Sequence, residues 1–173
     1  VTNIYHNLAC EKGFHDNDEF DEQGKPTPRQ LLAWAALICS EWFEWRAECD
    51  AWYLREDGKP EGTIAELADV FIRCQDIGYL LGDEDVYGRR VDGSKLVWHA
   101  LCSSLIEASR MVDLEGCLSS LHGMVAFVEA RAAMDIENFQ LCDVDGSPKT
   151  FAEAIAAKHE FNKTRPHRHG KKA

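Results

Sequence analysis

Apolar positions recur at three- and four-residue spacings along most of the chain, and no run of useful length alternates with the period of a strand. That periodicity predicts an all-α fold. "NIYHNLACEKGF" reads as a short helix closed by Gly13, and the acidic "HDNDEFDEQGKPTP" after it as a loop. Thr27 offers an N-cap with Pro28 at the first helical position, and a long helix is expected to run from there to about Arg55. "EDGKPEG" breaks it, and "TIAE" restarts a helix as a capping box, with Thr63 as cap and Glu66 three residues on. This second long helix carries Leu67, Val70, Phe71, Cys74, Gly78 and Leu81 on one stripe and stops at Gly82. "DEDVYGRRVDG" is a connection to two further helical patterns, residues 95–111 and roughly 113–134. After "DVDGSP", a last helix spans about Lys149 to Thr164, where Pro166 ends it. The chain contains no internal repeat and no low-complexity tract. The architecture predicted is a single domain over residues 1–173, a helical bundle built around two long antiparallel helices, with a basic C-terminal tail at 165–173.

Composition narrows the function. The chain of 173 residues is 45% hydrophobic, enough for one core of its own. A net charge of -11 argues against a stable nucleic-acid partner, because such binding draws its affinity from Lys and Arg neutralising phosphates. The exception is local: from Lys158 onward six Lys or Arg accompany a single Glu, which reads either as a solvated helix end or as a phosphate contact. Seven cysteines (Cys10, Cys39, Cys49, Cys74, Cys102, Cys117, Cys142) are odd in number and form no CxxC pair, so they read as reduced thiols. No stretch has the length of a membrane span and no signal pattern opens the chain, which predicts a cytoplasmic protein without a membrane partner.

The acids of "SEWFEWRAE" raise the chemical question. On a helix, Glu41, Glu44 and Glu48 fall within about 60° of one another, in the sector that also holds Trp34, Leu37, Ile38 and Trp45. A solvated face is the plain reading of such a run, yet the opposite side carries Leu32, Trp42 and Phe43 and leaves no clean polar face. A buried carboxylate must be protonated, paired or set beside a cation. Between Gln30 and Leu54 the only basic residue is Arg46, which points away, so a metal ion is the partner expected. Glu66 and Asp69 add two carboxylates at i, i+3 on the second helix, although Glu66 alternatively serves only the capping box. An all-oxygen set without His or Cys suits Mg²⁺, with Mn²⁺ the alternative. A di-iron bundle would need Glu-x-x-His pairs, and the chain has none.

"EWFE" (Glu41, Glu44) and "ELAD" (Glu66, Asp69), separated by 21 residues, resemble the ExxE...ExxD signature of the all-α nucleoside triphosphate pyrophosphohydrolases, the MazG-like superfamily. "HNLACEKGF" is similar to the opening helix, and "KHEFNKTRPHRHGKK" to the closing segment, of its short, often phage-encoded members. The likeness covers roughly residues 5–82 and 149–172, while 83–148 match only in helical character.

The resemblance implies Mg²⁺-dependent hydrolysis of a nucleoside or deoxynucleoside triphosphate to the monophosphate and pyrophosphate. It assigns Glu44, Glu66 and Asp69 as metal ligands and Glu41 to the attacking water or a shared metal. Glu48 would be an outer or second-metal ligand. Lys158, Asn162 and Arg165 recur at i, i+4 and i+7, which suits a grip on β- and γ-phosphate oxygens. By the same likeness His6, Asn7, Lys12 and Phe14 line the substrate pocket, and Trp34, Trp42 or Trp45 either stack on the base or belong to the core. His99 and His122 have no evident partner, and His167 and His169 read as tail residues. The apolar circumference of the first long helix predicts a covering subunit, as a homodimer or homotetramer. Rival readings are a phosphoribosyl-ATP pyrophosphohydrolase-like or alarmone-hydrolysing enzyme of the same superfamily, and a non-catalytic helical oligomer that binds or regulates. A phage-encoded member would work in the host cytoplasm.

Overall fold

The computed structural model describes residues 3–84, 86, 98–141 and 146–167. Its elements are α1 (Ile4–Glu11), α2 (Pro28–Ala47), a hairpin of β1 (Tyr53–Leu54) and β2 (Pro60–Glu61), α3 (Thr63–Leu80), α4 (Trp98–Met111), α5 (Leu114–Asn138) and α6 (Phe151–Thr164). The mostly helical content agrees with the all-α pattern. Cys142, His169 and residues 168–173 of the basic tail lie outside the described residues, as do residues 95–97 at the start of the third pattern.

α3 is the hub. Ile64, Ala65, Leu67, Ala68, Val70 and Cys74 have no exposed surface, and α1, α2, α5 and α6 all pack on this helix, while α4 covers α2 and α5. Gly78 permits the closest approach, since a Cβ there would run into the Val86 side chain. Trp42 stacks between Trp45 (ring centroids 4.2 Å apart) and Trp98 (4.3 Å), and Trp34 meets His15 and Phe20 edge-on. Trp34 and Trp42 are buried core residues, which corrects their candidate place on a nucleobase.

Two boundaries differ from the sequence reading. α2 does not reach Arg55: it stops at Ala47, and Glu48 is its C-cap with extended backbone, φ -73° and ψ 141°. The cause lies downstream, where Asp57 accepts from the Lys59 amide, Gly58 adopts φ +80° and residues 53–61 close as a hairpin. Glu48 therefore leaves the acidic stripe. At α3 the N-cap is Gly62 (φ +102°), with no side-chain cap bond; Thr63 is the first helical residue and its hydroxyl is buried without a partner. A Cβ at Gly62 would come within 2.8 Å of the Ala51 backbone, so only glycine fits this joint. The capping box does not form, and the Glu66 side chain is free for other work.

The short α1 is tied to α3 by charge. Asp76, 3% exposed, takes His6 Nδ1 at 2.9 Å and His15 Nε2 at 3.0 Å, and His15 Nδ1 contacts Asp18 at 2.6 Å. Burial alone would lower the His15 pKa, but its bonds to Asp76 and Asp18 outweigh that and raise it. Burial would raise the Asp76 pKa, and the two imidazoles lower it instead. Among the described residues no helix is long and apolar enough to cross a membrane, and the described cysteines are free thiols.

Two measurements check this packing. Gly78→Ala should cost about 1–3 kcal/mol in urea unfolding, because Val86 must shift to admit the methyl. For His15 the raised folded pKa means that its stabilisation is complete below about 6.5 and is lost as pH rises through the folded value. The stability gap between wild type and His15→Gln should therefore shrink as pH rises above about 6.5, and a gap that widens would contradict the assignment.

Candidate metal and phosphate site

The hairpin and three helices converge on a carboxylate cluster. One oxygen each from Glu41 on α2 and Glu66 and Asp69 on α3 lie within 4.8 Å of one another. Glu66 is 3% exposed, and its Oε2 is buried with no hydrogen-bond partner. Burial, with the charges of Asp69 and Glu41 added, pushes the Glu66 pKa up to about 8 against the pull of Lys158. Burial likewise raises Glu41, with Asp69 adding to the effect and Arg73 opposing it.

The expectation that only a metal could balance these acids is corrected by two cations from other elements. Arg73, one turn beyond Asp69, brings Nε to 3.3 Å from Glu41 Oε1 and lays its guanidinium over the Phe14 ring at 4.6 Å. Lys158, with no exposed surface, sets Nζ 3.0 Å from Asp69 Oδ2 and 3.6 Å from Glu66 Oε1, and donates to the Pro60 carbonyl at 3.0 Å. Burial would lower the Lys158 pKa, but Asp69 and Glu66 raise it. Its place as a phosphate grip is thus also corrected, because the ammonium is already committed to the acids. The reading missed Glu61 as well: it is buried on β2, is held by Lys59 at 2.6 Å and interacts with the Glu66 carboxyl. An i, i+4 scan from Asp69 reaches Arg73. No local pattern points to Glu61 or Lys158, which arrive by tertiary packing.

The balance of charge is informative. Glu61 is served by Lys59 and, at 3.6 Å, by Arg55, whereas Glu41, Glu66 and Asp69 share only Arg73 and Lys158. That group of three acids is one positive charge short, in keeping with the raised pKa of Glu66. Such a set of carboxylate oxygens could hold a divalent metal ion.

Beside the cluster opens a cavity of about 210 Å³, lined by Lys12, Phe14, Glu41, Glu44, Lys59, Asp69, Arg73, Asp76, Asn162 and Arg165, among others. It brings together most of the predicted residues. Glu44, expected as a ligand, is exposed on the wall and lies outside the three-oxygen group of Glu41, Glu66 and Asp69. Lys12 Nζ donates to the Lys163 carbonyl at 2.7 Å, and Arg165 Nη1 to Asn162 Oδ1 at 3.4 Å. Gly13 (φ +76°) turns the chain from α1 toward Phe14, where a Cβ would strike the His167 ring. Several predicted residues stay apart. Glu48 caps α2, Trp34 is core, and His6 holds Asp76 behind the cavity wall. Asn7 is exposed and lines a second cavity of about 1280 Å³ between α1, α3 and α6. His122 has partners after all, Asp83 at 2.8 Å and the Val86 carbonyl at 2.6 Å, and His99 is exposed.

Lys158→Met should leave two buried carboxylates short of a counter-charge and cost about 3–5 kcal/mol in urea unfolding. If the acids accept a divalent ion, added Mg²⁺ should recover more stability in this variant than in wild type; equal shifts would remove the cluster as an ion holder. Comparison with protein-family models, curated proteins and solved structures gives no match to this chain, so the functional reading rests on its own side chains.

Proposed function

We propose that the chain is a Mg²⁺-dependent nucleoside triphosphate pyrophosphohydrolase, hydrolysing a nucleoside or deoxynucleoside triphosphate to the monophosphate and pyrophosphate. One observation carries the reading. Of three carboxylates that are one positive charge short of balance, Glu41 and Asp69 line a cavity whose other walls hold Lys12, Arg73, Asn162 and Arg165, and Glu66 lies buried behind them. Anion-repelling acids facing phosphate-seeking cations across one small space suit a ligand that is a polyanion bound through a cation. The ExxE...ExxD motif and its MazG-like resemblance support the same class.

The roles follow from position. A divalent ion supplies Lewis-acid neutralisation of phosphate oxygens and a lowered pKa for bound water. Glu66 and Asp69 would hold it, with Lys158 as a resident counter-cation that fixes Asp69. Glu41, released from Arg73, orients the attacking water and takes its proton. Arg73, freed by that exchange, joins Lys12 and Arg165 on the phosphates. The exposed Leu32, Leu37 and Phe43 of α2 support a homodimer or homotetramer in which a second copy covers this face.

The rival is a non-catalytic helical module, favoured by one fact: Arg73 and Lys158 already partner the acids. Incubation with a panel of nucleoside and deoxynucleoside triphosphates, phosphoribosyl-ATP and alarmone nucleotides separates the two. Pyrophosphate release should need Mg²⁺, stop with chelator and fall by about 10²–10⁴ in Glu41→Gln. No turnover across the panel, with Mg²⁺ or Mn²⁺ present, sinks the enzyme reading.

A further inference from the structure

A second group of metal-ligating side chains lies on the other side of Asp76 from the acid cluster. His6 and Cys10 stand one turn apart on the same face of α1. His15 joins them from the turn that follows Gly13, so that one ligand atom from each of the three lies within 4.8 Å of the other two. We propose that His6, Cys10 and His15 form a binding site for a thiophilic divalent ion of the zinc class, separate from the carboxylate cluster.

The geometry agrees in three respects. Cys10 Sγ and His6 Nε2 are 3.4 Å apart, and a tetrahedral zinc with ordinary Zn–S and Zn–N bonds separates two such ligands by ~3.5 Å. His6 gives Nδ1 to Asp76, which fixes the tautomer that bares Nε2 toward the thiol, the outer-shell carboxylate arrangement usual for metal-bound imidazole. His15 differs in having both ring nitrogens on carboxylates, Nε2 on Asp76 and Nδ1 on Asp18. Ligation by His15 takes one of these contacts and its proton away and leaves the other carboxylate behind the ring. Asp18 is steadied in turn by Gln30 Nε2 at 2.7 Å. Two nitrogens and a sulfur select zinc over the hard Mg²⁺ expected at Glu41, Glu66 and Asp69. The half-exposed setting, with Cys10 at the surface, leaves a path for the ion and room for water as fourth ligand.

Co²⁺ substitution tests the site on the full chain without reference to turnover, so its failure is distinct from failure of the enzyme reading. Chelator-stripped protein titrated with Co²⁺ should bind one equivalent with tetrahedral d–d bands and a thiolate-to-cobalt charge-transfer band, all displaced by Zn²⁺. Cys10→Ser, at an exposed position, should lose the charge-transfer band while its melting curve keeps the metal-free wild-type form. Asp76→Asn should weaken Zn²⁺ by about 10- to 100-fold. Glu66→Gln should leave the band unchanged. The proposal is overturned if no thiolate band forms, if the band persists in Cys10→Ser, or if it disappears in Cys39→Ser, which would assign it to the Cys39 and Cys102 thiols 3.5 Å apart.

Discussion

The contact on which the site depends is the one between the Lys158 ammonium and the carboxylates of Asp69 and Glu66. Three charged groups with almost no exposed surface on two of them would each be costly alone. Together, and with the Pro60 carbonyl accepting a third interaction, they become tolerable. This constraint orders the surrounding elements. α6 must lie along α3 for the lysine to arrive, and the hairpin must fold against α3 for the Pro60 carbonyl to meet it. The cavity lined by Lys12, Arg73, Asn162 and Arg165 exists where α1, α2, α3 and α6 meet around that centre.

The arrangement also explains why the acids are held yet remain usable. Full neutralisation by Lys and Arg would make them inert ion pairs, whereas two cations among three acids leave the Glu66 pKa raised by burial and by its acidic neighbours. Arg73 has a similar double allegiance, to Glu41 on one side and the Phe14 ring on the other. Its side chain lies at the cavity wall.

Legibility in the sequence followed the range of the interaction. The helices, Thr27 as a cap and the α3 stripe came from local periodicity and capping chemistry, which act within a few residues. So did the meeting of Glu41 with the two acids of "ELAD", although Glu44 turns out to the exposed side. What local rules could not supply was the identity of the counter-charges. Searching α2 alone for a basic residue overlooked a lysine more than a hundred positions on, and treating Lys158 by its helical phase with Asn162 and Arg165 hid that it turns inward while they face the cavity. The end of α2 was misread for a related reason. Helical phase continues past Ala47, but the Asp57–Gly58 turn and the tight joint at Gly62 favour a hairpin over further helix. His6 and His15, singly unremarkable, gain meaning only through the buried aspartate they share.

The backbone joining Lys158 to Pro60 spans 98 residues. During synthesis the acids of α2 and α3 therefore emerge from the ribosome long before their lysine does. Until α6 is made, Asp69 and Glu66 lack their lysine and must be hydrated or protonated. Closure of the centre thus waits on the synthesis of α6, which couples the assembled pocket to the arrival of that helix.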